Sequence, residues 1–200
     1  IGQDSKYFAI QIGGMEISGV NPLGCYSMGL ALATADMASH TRVWTATAEM
    51  NGELELDSDK LIPIIAGAQD EVSVRNSMIN CDFLPFGHDR LVEFLNAATG
   101  KNYTVDDLKL IGERIQALAR LYNMRRGRTH ADDVLPPRFY EETSCGGLME
   151  GKKIDREFFE GQLQDYYQYR GWDEEGRPTE ETLERLGLEE FQDYSQEPNY

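Results

Sequence analysis

Few side chains in this sequence are of types that attack, ligate or carry protons near neutral pH, and their spacing narrows the chemistry they can do. The three cysteines, Cys25, Cys81 and Cys145, lie far apart, and no CxxC pair brings two thiols together. No metal site therefore closes within this chain alone, and the thiols suit a reducing, cytoplasmic compartment better than a disulfide framework. Cys25 lies in a run of small residues and reads as a buried core thiol, while Cys145, beside Gly146-Gly147, reads as an incidental loop cysteine. Spacing alone makes Cys81 a core thiol too, following a helix expected to end at Asn80. The three histidines, His40, His88 and His130, each stand alone in sequence, the pattern of structural or solvated imidazoles. There is no phosphate-binding glycine loop, nucleophile elbow or HExxH helix. Tyr166, Tyr167, Tyr169 and Trp172 form an aromatic group that reads as packing rather than a ligand cage.

The elements that must position these residues come from a 200-residue chain that is 40% hydrophobic and 27% charged. That composition describes a globular chain able to bury a sizeable core. The net charge of −16 argues against nucleic acid and anionic membrane surfaces, which need basic faces. It serves solubility and can steer a basic partner. No apolar run approaches the roughly 20 residues of a membrane span. The chain starts at Ile1 without a signal-like segment, which leads us to expect a piece of something longer.

Periodicity and caps predict a mainly helical fold with little sheet. Residues 6–17 are β-branched and aromatic around Gly13-Gly14, so one or two short extended segments are expected there. Asn21-Pro22 opens a helix whose small residues suggest close packing. Asp57-Ser58-Asp59 caps a helix carrying Leu61, Ile62, Ile64, Ile65 and Ala68, a pattern that resumes through Val72, Val74 and Met78. A third helix spans 89–98 and ends at Gly100. Thr104 to Asp107 resembles a capping box that opens a long amphipathic helix ending near Arg125-Arg126-Gly127. Residues 128–153 look mostly irregular. In that stretch Asp132, Asp133 and Arg138 are spaced to organise a loop through carboxylate–arginine bonds. Asp155 caps a helix over 156–169, with Ile154 stapled against Phe159. A short helix at 179–186 precedes a polar acidic tail, 189–200. The organisation expected is one helical C-terminal domain over 1–200. Within it, 1–20 is an extended N-terminal segment, and 128–200 is a loop-rich extension with two short helices.

Three stretches carry a family resemblance. Asp165-Tyr166-Tyr167-Gln168-Tyr169-Arg170-Gly171-Trp172-Asp173, with Gly176-Arg177-Pro178-Thr179 and Leu183 to Leu188, is similar to a terminal YY-x-x-RGWD…G-x-PT…L-x-x-LGL pattern. Asn123, Arg125, Gly127, Asp132-Asp133, Leu135-Pro136 and Arg138-Phe139 resemble an N-x-R-x-G…DD-x-LP-x-RF segment. Gly14-Met15-Glu16, Pro22, Met28-Gly29-Leu30, Ala33-Thr34-Ala35-Asp36 and Ser39-His40 resemble a G-x-E…P…GL-x-x-ATADRG-x-SH segment. Together these patterns resemble the C-terminal, multi-helical part of the tungsten-containing aldehyde:ferredoxin oxidoreductase family.

The resemblance implies an enzyme that holds a tungsten (or molybdenum) bis-pterin and a [4Fe-4S] cluster, oxidises a small aldehyde to its carboxylic acid and passes electrons to ferredoxin. It implies N-terminal domains of the same polypeptide as partners, and it allows a homodimer. Cys81 matches the cysteine of a D-x-x-G-L-C motif and becomes an iron ligand. Asn76 and Asn80 occupy pterin-binding positions of that motif, and His40 matches a histidine near the metal that assists proton transfer. The sequence also departs from the pattern: Asn76 replaces the aspartate, Ile79 the glycine and Asn80 the leucine, and the segment before His40 is one residue short. These departures motivate an alternative, a diverged, non-catalytic binding or assembly module. One thiolate cannot hold four irons, so the isolated chain is expected to bind no cofactor and to be inactive.

Overall fold

Helices assemble at most of the places that caps and periodicity mark, although the one expected to open at Asn21-Pro22 begins only at Tyr26. The computed structural model describes residues 5–17, 22–36, 43, 45–81, 84 and 86–195. The only sheet among them is a small hairpin, β1 (Gln11–Ile12) and β2 (Met15–Glu16), paired antiparallel after a 3-10 turn at Ser5–Tyr7. Helix α1 (Tyr26–Thr34) follows, and every residue from Ser27 to Thr34 is buried. The small side chains anticipated there let neighbouring elements close around it on all sides.

Sequence reading missed α2 (Ala46–Met50), a single turn and a half with no apolar stripe. Its function in the fold rests on Glu49. Cys25, the N-cap of α1, offers that helix no side-chain bond. Instead the buried Glu49 carboxylate accepts the N–H groups of Tyr26 (2.9 Å) and Ser27 (2.7 Å), so α2 caps α1 from a distance. The Cys25 thiol donates to the same carboxylate at 3.0 Å. Burial, then the Glu49 charge, pushes that thiol up to about 12.

Helix α3 (Ser58–Ser77), capped by Asp57, is the spine of the fold and packs along α5 (Val105–Arg125) and α7 (Arg156–Arg170). The crossing of α3 and α5 is set by Gly112, where an added Cβ would stand 2.5 Å from the Asp70 carbonyl oxygen. The expected capping box of α5 is present: Asp107 N–H donates to Thr104 Oγ1 (3.2 Å) and Thr104 N–H to Asp107 Oδ2 (2.7 Å). Between α3 and α5 lies α4 (His88–Thr99), closed by Gly100 in the left-handed conformation.

Residues 128–155 contain a 3-10 turn at His130–Asp132, the short α6 (Arg138–Glu141) and another 3-10 turn at Gly147–Met149. Asp155 caps α7 through Phe158 N–H (2.9 Å), and Ile154 and Phe159 are both fully buried, as a hydrophobic staple requires. Gly171, at φ 68°, turns the chain so that Trp172 folds back, its N–H on the Tyr167 carbonyl at 2.8 Å and its ring edge-on to Tyr166 at 5.9 Å. Tyr166, Tyr167 and Trp172 thus pack in the core, whereas Tyr169 is exposed. Helix α8 (Glu180–Leu186) follows the Thr179 cap.

Residues 189–195, expected as a polar tail, instead form a 3-10 stretch (Glu189–Ser195). Leu188 is buried and Phe191 packs on Ala117, Leu121, Leu183 and Leu186, an anchoring that two apolar side chains among many acids did not advertise. No helix among the described residues is long and apolar enough to cross a membrane.

Candidate functional site

The C-terminal end of α3 carries the residues singled out for cofactor chemistry. The helix stops at Ser77, earlier than the expected Asn80, because the chain reverses through Ile79 at φ 58°. Ile79 N–H returns to the Asn76 carbonyl (3.0 Å) and Asn80 N–H to the Arg75 carbonyl (2.9 Å), closing the helix end. A β-branched residue in the left-handed region is strained by about 1–2 kcal/mol, and packing does not explain it, because the Ile79 side chain is 94% exposed. Ile79 thus holds a backbone conformation that glycine adopts without strain.

Beyond that turn Cys81 is exposed, which corrects its reading as a core thiol. Once the chain has left α3, the helical spacing that pointed inward no longer applies. Cys25 is buried and Cys145 exposed, both as expected. Asn76 and Asn80 are half-buried on either side of the turn. The Asn76 amide nitrogen is buried and finds no hydrogen-bond partner among the described residues; Arg75 Nε and His88 Nε2 share that condition. The Asn76 amide and Arg75 guanidinium donors call for an acceptor from outside these residues. Below the loop Val74, Leu91 and Leu108 form a small apolar cluster that includes Met78 and Phe86 at its edge.

This loop is braced by Arg75 and Glu71, which sequence reading passed over, and by His88, which it took for a structural or solvated imidazole. Arg75 donates Nη1–H to the Leu84 carbonyl at 2.9 Å and Nη2–H to the Phe86 carbonyl, and it pairs with Glu71 one turn back on α3. His88, which opens α4, lies with Nδ1 3.3 Å from the other Glu71 oxygen. The Glu71–Arg75 spacing of four on a helix was a visible signal. The carbonyls it serves were not.

His40 lies outside the described residues. The chain leading to it is described as far as Asp36, and it is fastened strongly. Asn123 Nδ2 donates to the Asp36 carbonyl at 3.0 Å, and Arg128 donates to the carbonyls of Ala33 (2.9 Å) and Ala35 (2.8 Å). Arg128 in turn binds Asp133 Oδ1 through Nε (3.1 Å) and Nη2 (2.8 Å). Asp133 Oδ2 accepts Arg120 Nη1 at 2.7 Å and the Tyr167 hydroxyl at 2.6 Å. Asp133 is completely buried, and burial, then its charge, pushes the Tyr167 hydroxyl upward. This corrects the anticipated Asp132–Asp133–Arg138 loop. Arg138 pairs with Glu142 on its own helix (2.8 Å), and Asp132 caps Thr129 N–H (2.8 Å), so Asp133 takes arginines from α5 and its end instead.

Comparison with known proteins agrees with the earlier resemblance. A family model described as aldehyde ferredoxin oxidoreductase, domains 2 and 3, matches residues 1–188. The tungsten-containing aldehyde ferredoxin oxidoreductase of Pyrococcus horikoshii is 35% identical over 185 residues, covering 88% of this chain and 30% of that protein. Its Pyrococcus furiosus counterpart is 34% identical over 186 residues, with the same coverage of 88% and 30%. The WOR-like subunit of an aliphatic sulfonate oxidoreductase from Pyrococcus furiosus is 38% identical over 122 residues, 58% of this chain and 19% of that protein. Among solved structures, the active-site complex BamBC of benzoyl-coenzyme A reductase, bound to 1,5-dienoyl-CoA, superposes with a TM-score of 0.58 at 22% identity. That match covers 76% of this chain and 24% of the other, and it shows a shared fold.

Proposed function

The chain belongs to the aldehyde ferredoxin oxidoreductase family, within the part described as its domains 2 and 3, and we propose that within a longer polypeptide it serves a tungstopterin and iron–sulfur oxidoreductase that converts aldehydes to carboxylic acids with ferredoxin as electron acceptor. The observation that carries this reading is the turn at Ile79, which stands at φ 58° in spite of its strain and leads to the exposed Cys81 thiol.

The residues present fit the implied groups. Cys81 would ligate one iron of a [4Fe-4S] cluster as its thiolate, with the other ligands supplied from outside this chain. Asn76, whose Nδ2 is buried without a partner among the described residues, would donate one hydrogen bond to the amino-pyrimidine edge of a pterin and accept one through Oδ1. Asn80 supplies a second amide beside the thiol. When bound, the tungsten centre and the cluster supply the two-electron oxidation and the path by which electrons leave. The conversion of an aldehyde and water to a carboxylic acid releases two protons with those two electrons. His40 takes one of these protons, a task for which an imidazole titrating near neutrality is suited.

The replaced positions Asn76, Ile79 and Asn80 favour a second reading, a helical binding or assembly module without active metal. One experiment separates the two. Tungsten, molybdenum and iron are measured in the anaerobically purified full-length protein and in its Cys81→Ala variant. Tungsten or molybdenum with about four irons per chain, the irons lost in the variant, supports the oxidoreductase. Absence of metal from both proteins leaves the module.

A further inference from the structure

Two ties hold the loop that presents Cys81 among the described residues, the packing of Phe86 on the Val74–Leu91–Leu108 cluster and the Arg75 side chain. Among the described residues between Asn80 and His88, Cys81, Leu84, Phe86 and Gly87 belong to no helix or strand. The loop's backbone bonds among the described residues are local, Leu84 N–H to the Cys81 carbonyl (3.1 Å) and Phe86 N–H to the Leu84 carbonyl (2.8 Å). Among the described residues, Arg75 reaches across from α3 to two loop carbonyls, those of Leu84 and Phe86. Its guanidinium is largely buried, and Glu71 fixes its orientation while His88 Nδ1 holds the other oxygen of that carboxylate at 3.3 Å. The planar fork matters, because two carbonyls and a carboxylate are served together, which a lysine ammonium cannot do with fixed directions.

We propose that Arg75 is the positioning residue for Cys81: clamped by Glu71 and His88, it holds the loop so that the thiol meets an iron–sulfur cluster in fixed register. The inference rests on the reading of Cys81 as an iron ligand. It adds a residue that touches neither metal nor pterin and acts through the loop backbone.

The test compares full-length wild type with Arg75→Lys and the milder Glu71→Gln, using Arg90→Gln on α4, whose partner is the exposed Glu93, as control. Amide hydrogen exchange is followed at Leu84 and Phe86 and, for reference, along α5. Iron loss to a chelator is timed in the same preparations. In Arg75→Lys, exchange at Leu84 and Phe86 should quicken about tenfold, the factor implied by losing one charged hydrogen bond, with α5 unchanged. Iron should be lost at least about tenfold faster by the same reasoning, with Glu71→Gln intermediate and the control like wild type. Loop exchange equal to wild type, exchange quickened throughout the chain, or a looser loop with unchanged iron retention would each overturn the proposal. Wild-type protein lacking iron would instead overturn the reading of Cys81 as a ligand, an outcome visible before any variant is made.

Discussion

Replacing Asp133 with alanine should remove a large share of the stability of this domain, and the structure sets the scale. The carboxylate is fully buried and accepts four hydrogen bonds, from Arg120 Nη1, Arg128 Nε and Nη2, and the Tyr167 hydroxyl. Without it two largely buried guanidinium groups lose their counter-charge. Arg128 would keep the Ala33 and Ala35 carbonyls, and Arg120 the Gly176 carbonyl and the Trp172 ring 5.3 Å away, so neither cation is stripped bare. Breaking a buried ion pair from one side is worth about 3–5 kcal/mol, against a total stability of about 5–15 kcal/mol. For a chain of this size that lowers the melting temperature by roughly 6–20 °C. Urea unfolding with the m-value held as a check gives the free energy, and calorimetry the melting point. The neighbouring Asp132→Ala is the internal comparison. Asp132 caps only the short turn after Thr129 and should cost about 1 kcal/mol. A loss below about 1 kcal/mol for Asp133→Ala, or equal losses for the two variants, would refute the assignment of Asp133 as the hub.

Other substitutions test other parts of the fold. Ile79→Gly should raise stability by up to about 1 kcal/mol, the relief of left-handed strain less the greater freedom of glycine when unfolded. A melting point that falls would mean that the exposed side chain makes a contact holding it there. Burial pushes the Asp70 carboxyl from 3.8 up to about 6 against the pull of Arg170. The native state therefore binds this proton more tightly than the unfolded chain, and the stability present below 3.8 is lost as pH rises through about 6. The difference in unfolding free energy between wild type and Asp70→Asn, followed from pH 3.5 to 7, should carry that slope, up to about 1.4 kcal/mol per pH unit. A flat difference would contradict it. With its thiol pushed up to about 12 and buried, Cys25 should resist iodoacetamide at pH 8 in the isolated, folded, cluster-free chain, while Cys81 and Cys145 are alkylated. Mass spectrometry of the peptides reads the pattern, and labelling of Cys25 before unfolding would show that the α1–α2 contact opens.

Much of the scaffold was legible because its signals are local. Asp57, Thr104, Asp155 and Thr179 each cap a helix within three residues of themselves, and Gly100 and Gly171 end one, so those boundaries needed no knowledge of the rest of the chain. The family motif in the last third was equally readable, and its tyrosines and Trp172 pack as their spacing suggested. Helix α2 escaped because five residues carry too little periodicity to register, and its capping of α1 joins positions 23 and 22 apart.

Side-chain partnership over distance was decided only by the tertiary structure. Of the arginines near it in sequence, Asp133 takes Arg120 and Arg128 and leaves Arg138 to Glu142, a choice set by the approach of α5. The position of Cys81 turned on the φ angle of one isoleucine, a conformation that residue type disfavours and that only its surroundings can impose. By itself the sequence determined the helices, their caps and the kinship, since these depend on residues a few positions apart. The buried charge network, the exposed thiol and the arginine that braces its loop belong to the fold. They arise where segments distant in sequence are pressed together, and burial makes every unpaired polar group find whichever partner is within reach.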